Sequence, residues 1–523
     1  MPGLLQELGA FSATSVSSLV FFLLSTFLFL SAACYLRGPP KNKEGLRLPP
    51  SPPRLPLIGN LHQLSALPHR PLRELSRKYG PLMLLHLGQT STLVVSSVEA
   101  AQEVLKTQDL AFANRPFSAA AAALTYGRRN VSFAPYGEHW RRAKKATVVH
   151  LLSPNKVQSL RRTREEEVAL MIRKISSSPS TATVDLSEIL YAFSNGLISR
   201  VVAGSCPARE VRTQRFREMI DESTAIISTP RLEELFPSLA WVTRLPGAVL
   251  RLKKLAKKFD VLLDEIMADH ERRGEGGRRE QAEEVDFLNL LLSANIAGDY
   301  AFSRDDLKAI CIDLIAAGTD TSYVVLEWAM AELLKNPALL ERTQREVREA
   351  AGGKPAPTED DVASMPRLRA VVKEVLRLHM PAPLLVPREA MEATRVLGYD
   401  VPAGTRVFIN AWAMATDPEW WEAPEEFRPE RFLREEKAAP PADLRGSDFQ
   451  FLPFGAGRRM CPGMNFALCE VELALASLLY CFDWSLPDGA APEGLDMAES
   501  PGITVRRKTP LRLIAVPNSA VLA

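Results

Sequence analysis

Between Glu7 and Arg37 the sequence carries no charged residue, and within that gap Ser17–Leu36 holds eleven Leu, Phe and Val residues with no polar stripe. Twenty residues is about what a helix needs to cross a bilayer. At roughly −0.4 kcal/mol each, the eleven favour insertion by about 4 kcal/mol. Ser31-Ala32-Ala33 could resemble a signal-peptide cleavage site. A signal peptide, however, starts with Lys or Arg and has a shorter apolar run than this one. Arg37, Lys41, Lys43 and Arg47 follow the span and only Glu7 precedes it. That asymmetry places the rest of the chain on the cytosolic side. Residues 1–36 are therefore expected to form a membrane anchor. Residues 37–61, with Pro49, Pro50, Pro52, Pro53 and Pro56, form a basic and proline-rich hinge, either an ordinary linker or a stiff spacer. Residues 62–523 form the body.

The body is mostly helical in pattern. Glu165–Ile175, Leu250–His270, Ser303–Lys335, Ala338–Ala351 and Met365–His379 read as helices. Leu82–Val95 reads as a hairpin turning around Gly88-Gln89-Thr90. Arg272–Arg279 reads as a solvated loop, and Arg251, Lys253, Lys254, Lys257 and Lys258 as the wet face of a helix. The expected fold class is mainly α with a minor β part, preceded by a transmembrane helix.

Composition narrows the function. A net charge of +2 in 523 residues leaves no general nucleic-acid footprint. Six cysteines (Cys34, Cys206, Cys311, Cys461, Cys469 and Cys481) are scattered without a CxxC pair. That supports neither a disulfide framework nor a zinc site, and fits a reducing compartment.

One cysteine stands in special surroundings, in Phe451–Gly463 (FLPFGAGRRMCPG). A thiolate ligand needs a tight turn that brings N–H groups to the sulfur. It also needs cations for the acidic groups of a cofactor and an apolar wall for its ring. Gly455, Gly457 and Gly463 suit the first role, Arg459 the second and Phe454 the third. The pattern Phe454-x-x-Gly457-x-Arg459-x-Cys461-x-Gly463 resembles the ligand loop of the cytochrome P-450 family at all five positions. The resemblance extends along nearly the whole chain and implies that family's fold. It also implies a haem b cofactor with Cys461 as axial iron ligand.

Ala317-Gly318-Thr319-Asp320-Thr321-Ser322 lies inside a helical pattern. Gly is disfavoured there, and Thr can bond back one turn, so the helix could open into a groove. Alone, this would more often be a helix with a packed glycine. It is similar to the family's oxygen-activation motif, which makes Thr321 and Asp320 an alcohol–acid relay for protons. Glu374 and Arg377, at i and i+3, could be a surface ion pair. The resemblance instead implies a buried, structural trio with Arg431 of Pro429-Glu430-Arg431-Phe432. Trp140 and Lys144, at i and i+4, could both reach a haem propionate, although Lys144 lacks the fork of the usual Arg. Arg388 matches another propionate-contacting position.

The loop, the helix motif and the proline hinge are similar to plant microsomal members of specialised metabolism. That implies an endoplasmic reticulum membrane and a lipophilic small-molecule substrate. Electrons would come from NADPH through a separate reductase, with cytochrome b5 as an accessory donor. Two alternatives are a dehydration or rearrangement, as of an aldoxime, and a non-catalytic haem protein. The resemblance implies a pocket lined from Ser118–Phe133, Ile226–Leu250, Leu314–Thr321, Ala382–Val386 and Gly502–Thr504, with Ala119–Ala123 leaving room. Asn130-Val131-Ser132 is a formal glycosylation acceptor.

Overall fold

The computed structural model describes residues 45–179, 181–204, 209–229, 231–241, 250–275, 286–433 and 443–518, and Ser25. Apart from Ser25, the expected anchor and residues 37–44 of the hinge lie outside the described residues, as do Cys34 and Cys206. The rest of the hinge belongs to the body. The Pro50 carbonyl accepts from Leu84 N–H (2.9 Å), and the buried Asn60 side chain bonds Pro52 O (3.2 Å) and His86 N–H (2.8 Å).

The main helices are α1 His69–Tyr79, α2 Ala119–Leu124, α3 Glu138–Thr147, α4 Arg161–Ser176, α5 Leu186–Ala203, α6 Arg209–Ser228, α7 Leu250–Glu275, α8 Arg304–Lys335, α9 Pro337–Ala351, α10 Pro366–Leu378 and α11 Met464–Cys481. Helix α7 continues through Arg272–Glu275, so half of the expected solvated loop is helix; residues 276–279 lie outside the described residues. The basic set on α7 is exposed as expected, and Arg251 and Lys258 share Glu222 (2.9 and 3.6 Å).

The predicted hairpin is β1 Leu82–Leu87 and β2 Thr90–Val95, antiparallel around Gly88-Gln89. The remaining strands are short: β3 Thr183–Asp185, β4 Arg388–Glu389, β5 Thr394–Val396, β6 Tyr399–Val401, β7 Arg406–Ile409, β8 Phe482–Ser485, β9 Glu499–Ser500, β10 Arg506–Arg507 and β11 Arg512–Pro517. They form a sheet of order β1-β2-β7-β4, in which β2 and β7 run parallel (Leu93 opposite Val407), a sheet β3-β11-β8, and two pairs, β5-β6 and β9-β10. The molecule is mainly α with minor sheets.

Helix α8, about 48 Å long at 1.5 Å per residue, is the axis of the core. It starts at a reciprocal cap: Ser303 Oγ accepts from Asp306 N–H (3.2 Å), and the Asp306 carboxylate accepts from Ser303 N–H (2.8 Å). Val324, Leu326, Trp328 and Leu333 on it are buried, as are Leu190 and Leu197 on α5 and Leu475 and Leu479 on α11. Burying each such leucine stabilises the fold by roughly 1.5–3 kcal/mol. Gly318 lets α5 come this close, since a Cβ there would lie 2.8 Å from Ile198 Cγ1. Helices α8 and α11 are long and apolar enough to cross a membrane, but most of their surface is buried inside the body.

Behind this bundle, α10 buries Glu374 and Arg377 completely. Arg377 spends all its donors there. Nε and Nη2 each bond Glu374 at 2.8 Å, Nη1 bonds Ala415 O and Pro424 O at 2.8 Å, and Nη2 also bonds Glu426 O at 3.0 Å. Arg431 Nε joins Glu374 at 3.1 Å, and Arg428 N–H donates to the same carboxylate at 2.8 Å. Trp421, under the Arg377 guanidinium, packs with Phe432 and Phe451, their ring centres 5.3–6.0 Å apart. The trio thus connects to the start of the cysteine loop. Glu374→Gln would leave two buried guanidiniums short of one negative charge. It should cost about 3–5 kcal/mol, read as a drop in the thermal unfolding midpoint. The exposed Glu341→Gln on α9 should cost almost nothing. Equal effects of the two substitutions would refute the buried network as a brace.

Candidate active site

Three elements converge on one internal cavity with about 290 Å³ open to the centres of water-sized spheres. Helix α8 contributes Asp313, Ala317 and Thr321, spaced i, i+4, i+8 and so along one face. The loop Pro453–Gly463 contributes Phe454 and Cys461, and the segment beside it contributes Leu385 and Val386. At one rim stand Arg115, Lys144, Arg388 and Arg459, with Trp140.

The loop holds its shape through backbone bonds. Cys461 N–H donates to Phe454 O (2.9 Å) and Met460 N–H to Gly457 O (3.1 Å). Gly457 has φ +69°, and a Cβ there would stand 2.4 Å from both Leu105 O and Asp109 Oδ1. This glycine is needed for packing on Asp109, not for delivering an N–H to the sulfur. That second role falls to Gly463 and Met464, whose N–H groups face Cys461. Cys461 is an exposed side chain whose exposed surface faces the cavity it lines. Burial pushes its thiol pKa up, against the pull of the Gly463 N–H and the Lys144 charge.

The rim is crowded with positive charge. Arg459 donates to Ala113 O (2.8 Å), Val131 O (3.3 Å) and Ala134 O (2.7 Å), and lies 4.2 Å over the Trp140 ring. Trp140 gives its indole N–H to Val131 O (3.0 Å), and Lys144 donates to Arg458 O. The backbone, then, takes the indole N–H that the sequence assigned to an anion. Arg388 bonds Asp109 (3.0 Å) and Ala456 O (2.8 Å). Arg115 bonds Ser132 O (2.9 Å), Val386 O (2.5 Å) and Pro387 O (2.9 Å). Burial, then Arg459 and Arg388, hold the Arg115 guanidinium well below its usual pKa. Burial and Arg388 bring Arg459 to about 9. Such mutual repulsion in an apolar setting favours an anion. A thiol facing a flat apolar space and four cations at its rim fit haem, which brings iron and two carboxylates.

Helix α8 is not opened at the motif. It is continuous through Ala317–Ser322, with Thr319 Oγ1 bonded back to Ile315 O (2.7 Å) and Thr321 Oγ1 to Ala317 O (2.8 Å). Thr321 faces the cavity, whereas Asp320 is buried away from it, with Thr504 and Arg506 beside it. Burial pushes the Asp320 carboxyl up to about 6, against the nearby Arg506 charge. The two residues therefore lie on different faces of α8.

Of the expected lining, Val131, Ser132, Leu314–Thr321 in part, and Ala382–Val386 in part reach the cavity. Among the described residues, Ala119–Ala123, Ile226–Leu250 and Gly502–Thr504 do not. The alanine run is helix α2, with Ala120 and Ala121 buried in packing rather than framing open space. Gly502–Thr504 is tied elsewhere, Ile503 N–H donating to Ser228 Oγ (2.7 Å).

Four residues escaped the sequence reading: Arg115, Asp109, Asp313 and Glu470. The last two had a signal, an acid within an apolar run, Asp313 by itself and Glu470 with Glu472 two residues on. Glu470 on α11 is wholly buried and accepts from Ser322 Oγ (3.0 Å), the neighbour of Thr321. Burial pushes its carboxyl up to about 8, against the nearby serine hydroxyls.

A family model described as Cytochrome P450 matches residues 49–513. "Cytochrome P450 71A2" of Solanum melongena is 46% identical over 480 residues, 91% of this chain and 94% of that protein. "Strychnine-11-hydroxylase" of Strychnos nux-vomica is 44% identical over 508 residues, 94% of this chain and 98% of that one. Among solved structures, a zebrafish cytochrome P450 with abiraterone matches at a TM-score of 0.70 and 29% identity, covering 86% of this chain and all of the other.

Glu470 gives a pH test. Its folded pKa is raised, so the folded state binds the extra proton. The stabilisation is complete below about 4.5 and is lost as pH rises toward 8. Asp320 and Glu472, pushed to about 6 and 7, act in the same sense. Between pH 5 and 8 the parent should lose more unfolding free energy than Glu470→Gln, which has no proton to lose. Parallel stability curves would show that Glu470 is already ionised.

Proposed function

The chain belongs to the cytochrome P450 family, a haem monooxygenase of the plant 71 group, and on that premise we propose that it oxidises a lipophilic specialised metabolite, with Cys461 as the iron ligand. The observation that carries this reading is the Cys461 thiol, which opens into a largely apolar cavity that Thr321 also lines. Bound haem supplies dioxygen activation and insertion of one oxygen atom into a C–H bond.

The protein's own groups prepare that chemistry. The Gly463 and Met464 N–H groups stabilise negative charge on the Cys461 sulfur, which as a thiolate would hold the haem iron. Arg115, Lys144, Arg388 and Arg459 would hold the two propionates, and Phe454 would wall the ring. Thr321 holds a hydroxyl at the cavity edge, where it can donate a proton. Asp320, behind it, would pass protons inward from the Arg506 side by way of water. Glu374, Arg377 and Arg431 brace the loop.

Residues 1–36 would anchor the chain in the endoplasmic reticulum membrane, and 37–61 would join the anchor to the catalytic body at 62–523, in the cytosol. The support is the uncharged apolar stretch and its trailing cations. Electrons would come from NADPH through a membrane-bound reductase, with cytochrome b5 as an accessory donor. Hydroxylation is favoured over a dehydration because Thr321, the alcohol of the relay, lines the cavity.

Reduced protein with carbon monoxide should show the long-wavelength band of thiolate ligation. Cys461→His should abolish it, while Cys469→Ala should keep it. The opposite pattern would move the ligand to Cys469.

Thr321→Ala removes the hydroxyl without weakening the helix, since Ala is the best helix former. Haem content should survive. Product per NADPH should fall, with more hydrogen peroxide released, because proton assistance is typically worth about 10²–10⁴-fold in rate. An unchanged ratio would show that water or the substrate supplies the proton.

A further inference from the structure

We propose that Asp313 is a positioning residue that clamps the loop 130–133 against helix α8 and so sets the width and mobility of the cavity wall formed by Val131 and Ser132. The inference rests on the reading of the cavity as a haem–substrate site.

Asp313 is a charged residue among the apolar side chains of α8, two turns before Thr321 on the same face, and it borders the cavity. A buried carboxylate is costly unless it is saturated with donors. Here the donors all come from one loop. Asn130 Nδ2 donates to Oδ1 at 2.9 Å, and the N–H groups of Val131 and Ser132 both donate to Oδ2 at 3.0 Å. The Asn130 side chain is itself fixed, its Oδ1 accepting from Phe133 N–H at 3.2 Å.

The same peptide is gripped from its other side. Ser132 gives its N–H to Asp313 and its carbonyl to Arg115, which also bonds the carbonyls of Val386 and Pro387. An acid on α8 and a base that also lines the cavity thus hold the N–H and the carbonyl of one residue. Three walls are tied together: α8, the loop and the 386–387 segment. Because Val131 O also accepts from Trp140 and Arg459, a shift of the loop would disturb the cation rim as well. Charge-assisted bonds to backbone are stronger than neutral ones; Arg115 and Arg459 grip the loop's carbonyls, and Asp313 takes the N–H groups of Val131 and Ser132 and so ties the loop to α8.

The test uses the full-length haem protein with carbon monoxide as the probe. In Asp313→Ala the thiolate-type carbonmonoxy band should persist. Carbon monoxide recombination after flash photolysis should accelerate about tenfold, the population shift expected from losing a strong hydrogen bond. The bulkier probe 4-phenylimidazole should associate faster too. Asn130→Ala, which removes one of the three bonds, should move both rates the same way by less. An intact band with unchanged rates in Asp313→Ala refutes the clamp alone, whereas absence of the band in the parent refutes the haem-thiolate reading beneath it. If Asp313→Ala does not retain haem, Asn130→Ala decides: unchanged rates there also refute the clamp.

Discussion

A sulfur can be aimed into an apolar cavity only if the backbone that carries it cannot turn it away. The loop 451–463 meets that constraint by being held at its start and in its middle. At its start, Phe451 packs on Trp421 and Phe432, which sit on the buried Glu374, Arg377 and Arg431 cluster. In its middle, Gly457 presses on Asp109, which also takes Arg388, Arg458 and the Arg458 N–H. Both holds use charge removed from solvent. Buried pairs of this kind are costly by themselves, and the first is made tolerable by Arg377 using every donor. The rigidity of the sulfur is thus transmitted from residues that never touch the cavity.

The cavity rim shows the opposite strategy. Arg115, Arg388 and Arg459 lower one another's affinity for a proton, so the protein alone holds charges that repel. A ligand with two carboxylates would relieve that repulsion. Binding energy of this kind appears as folding stability, since only the folded state gathers the cations. The protein without its cofactor should accordingly be the less stable species.

Much of this was legible in the sequence, for reasons that differ by element. Helices α9 and α10 have an apolar stripe, and their expected limits fall within one or two residues of those observed. The β1–β2 hairpin shows as two short β-rich runs either side of its turn. Helices α5 and α11 are buried nearly all round, leaving no periodic contrast to read. The cysteine loop was legible because its parts are contiguous. Arg115 and Asp313 were not, because their meaning lies in Ser132, which is near neither of them in sequence. The expected groove in α8 failed on packing: Gly318 serves the contact with Ile198, and the threonines bond back without opening the helix.

The Asn130 side chain has a consequence for the biography of the molecule. It lies in a formal glycan acceptor sequence, yet in the folded protein it has no exposed surface and its amide is committed to Asp313. An oligosaccharyltransferase could reach it only before the loop docks on α8. A sugar at Asn130 would therefore record two events together: entry of the body into the lumen, and arrival there unfolded. The acceptor sequence works as an archive of the chain's earliest moments, legible by mass alone and sealed once folding is complete.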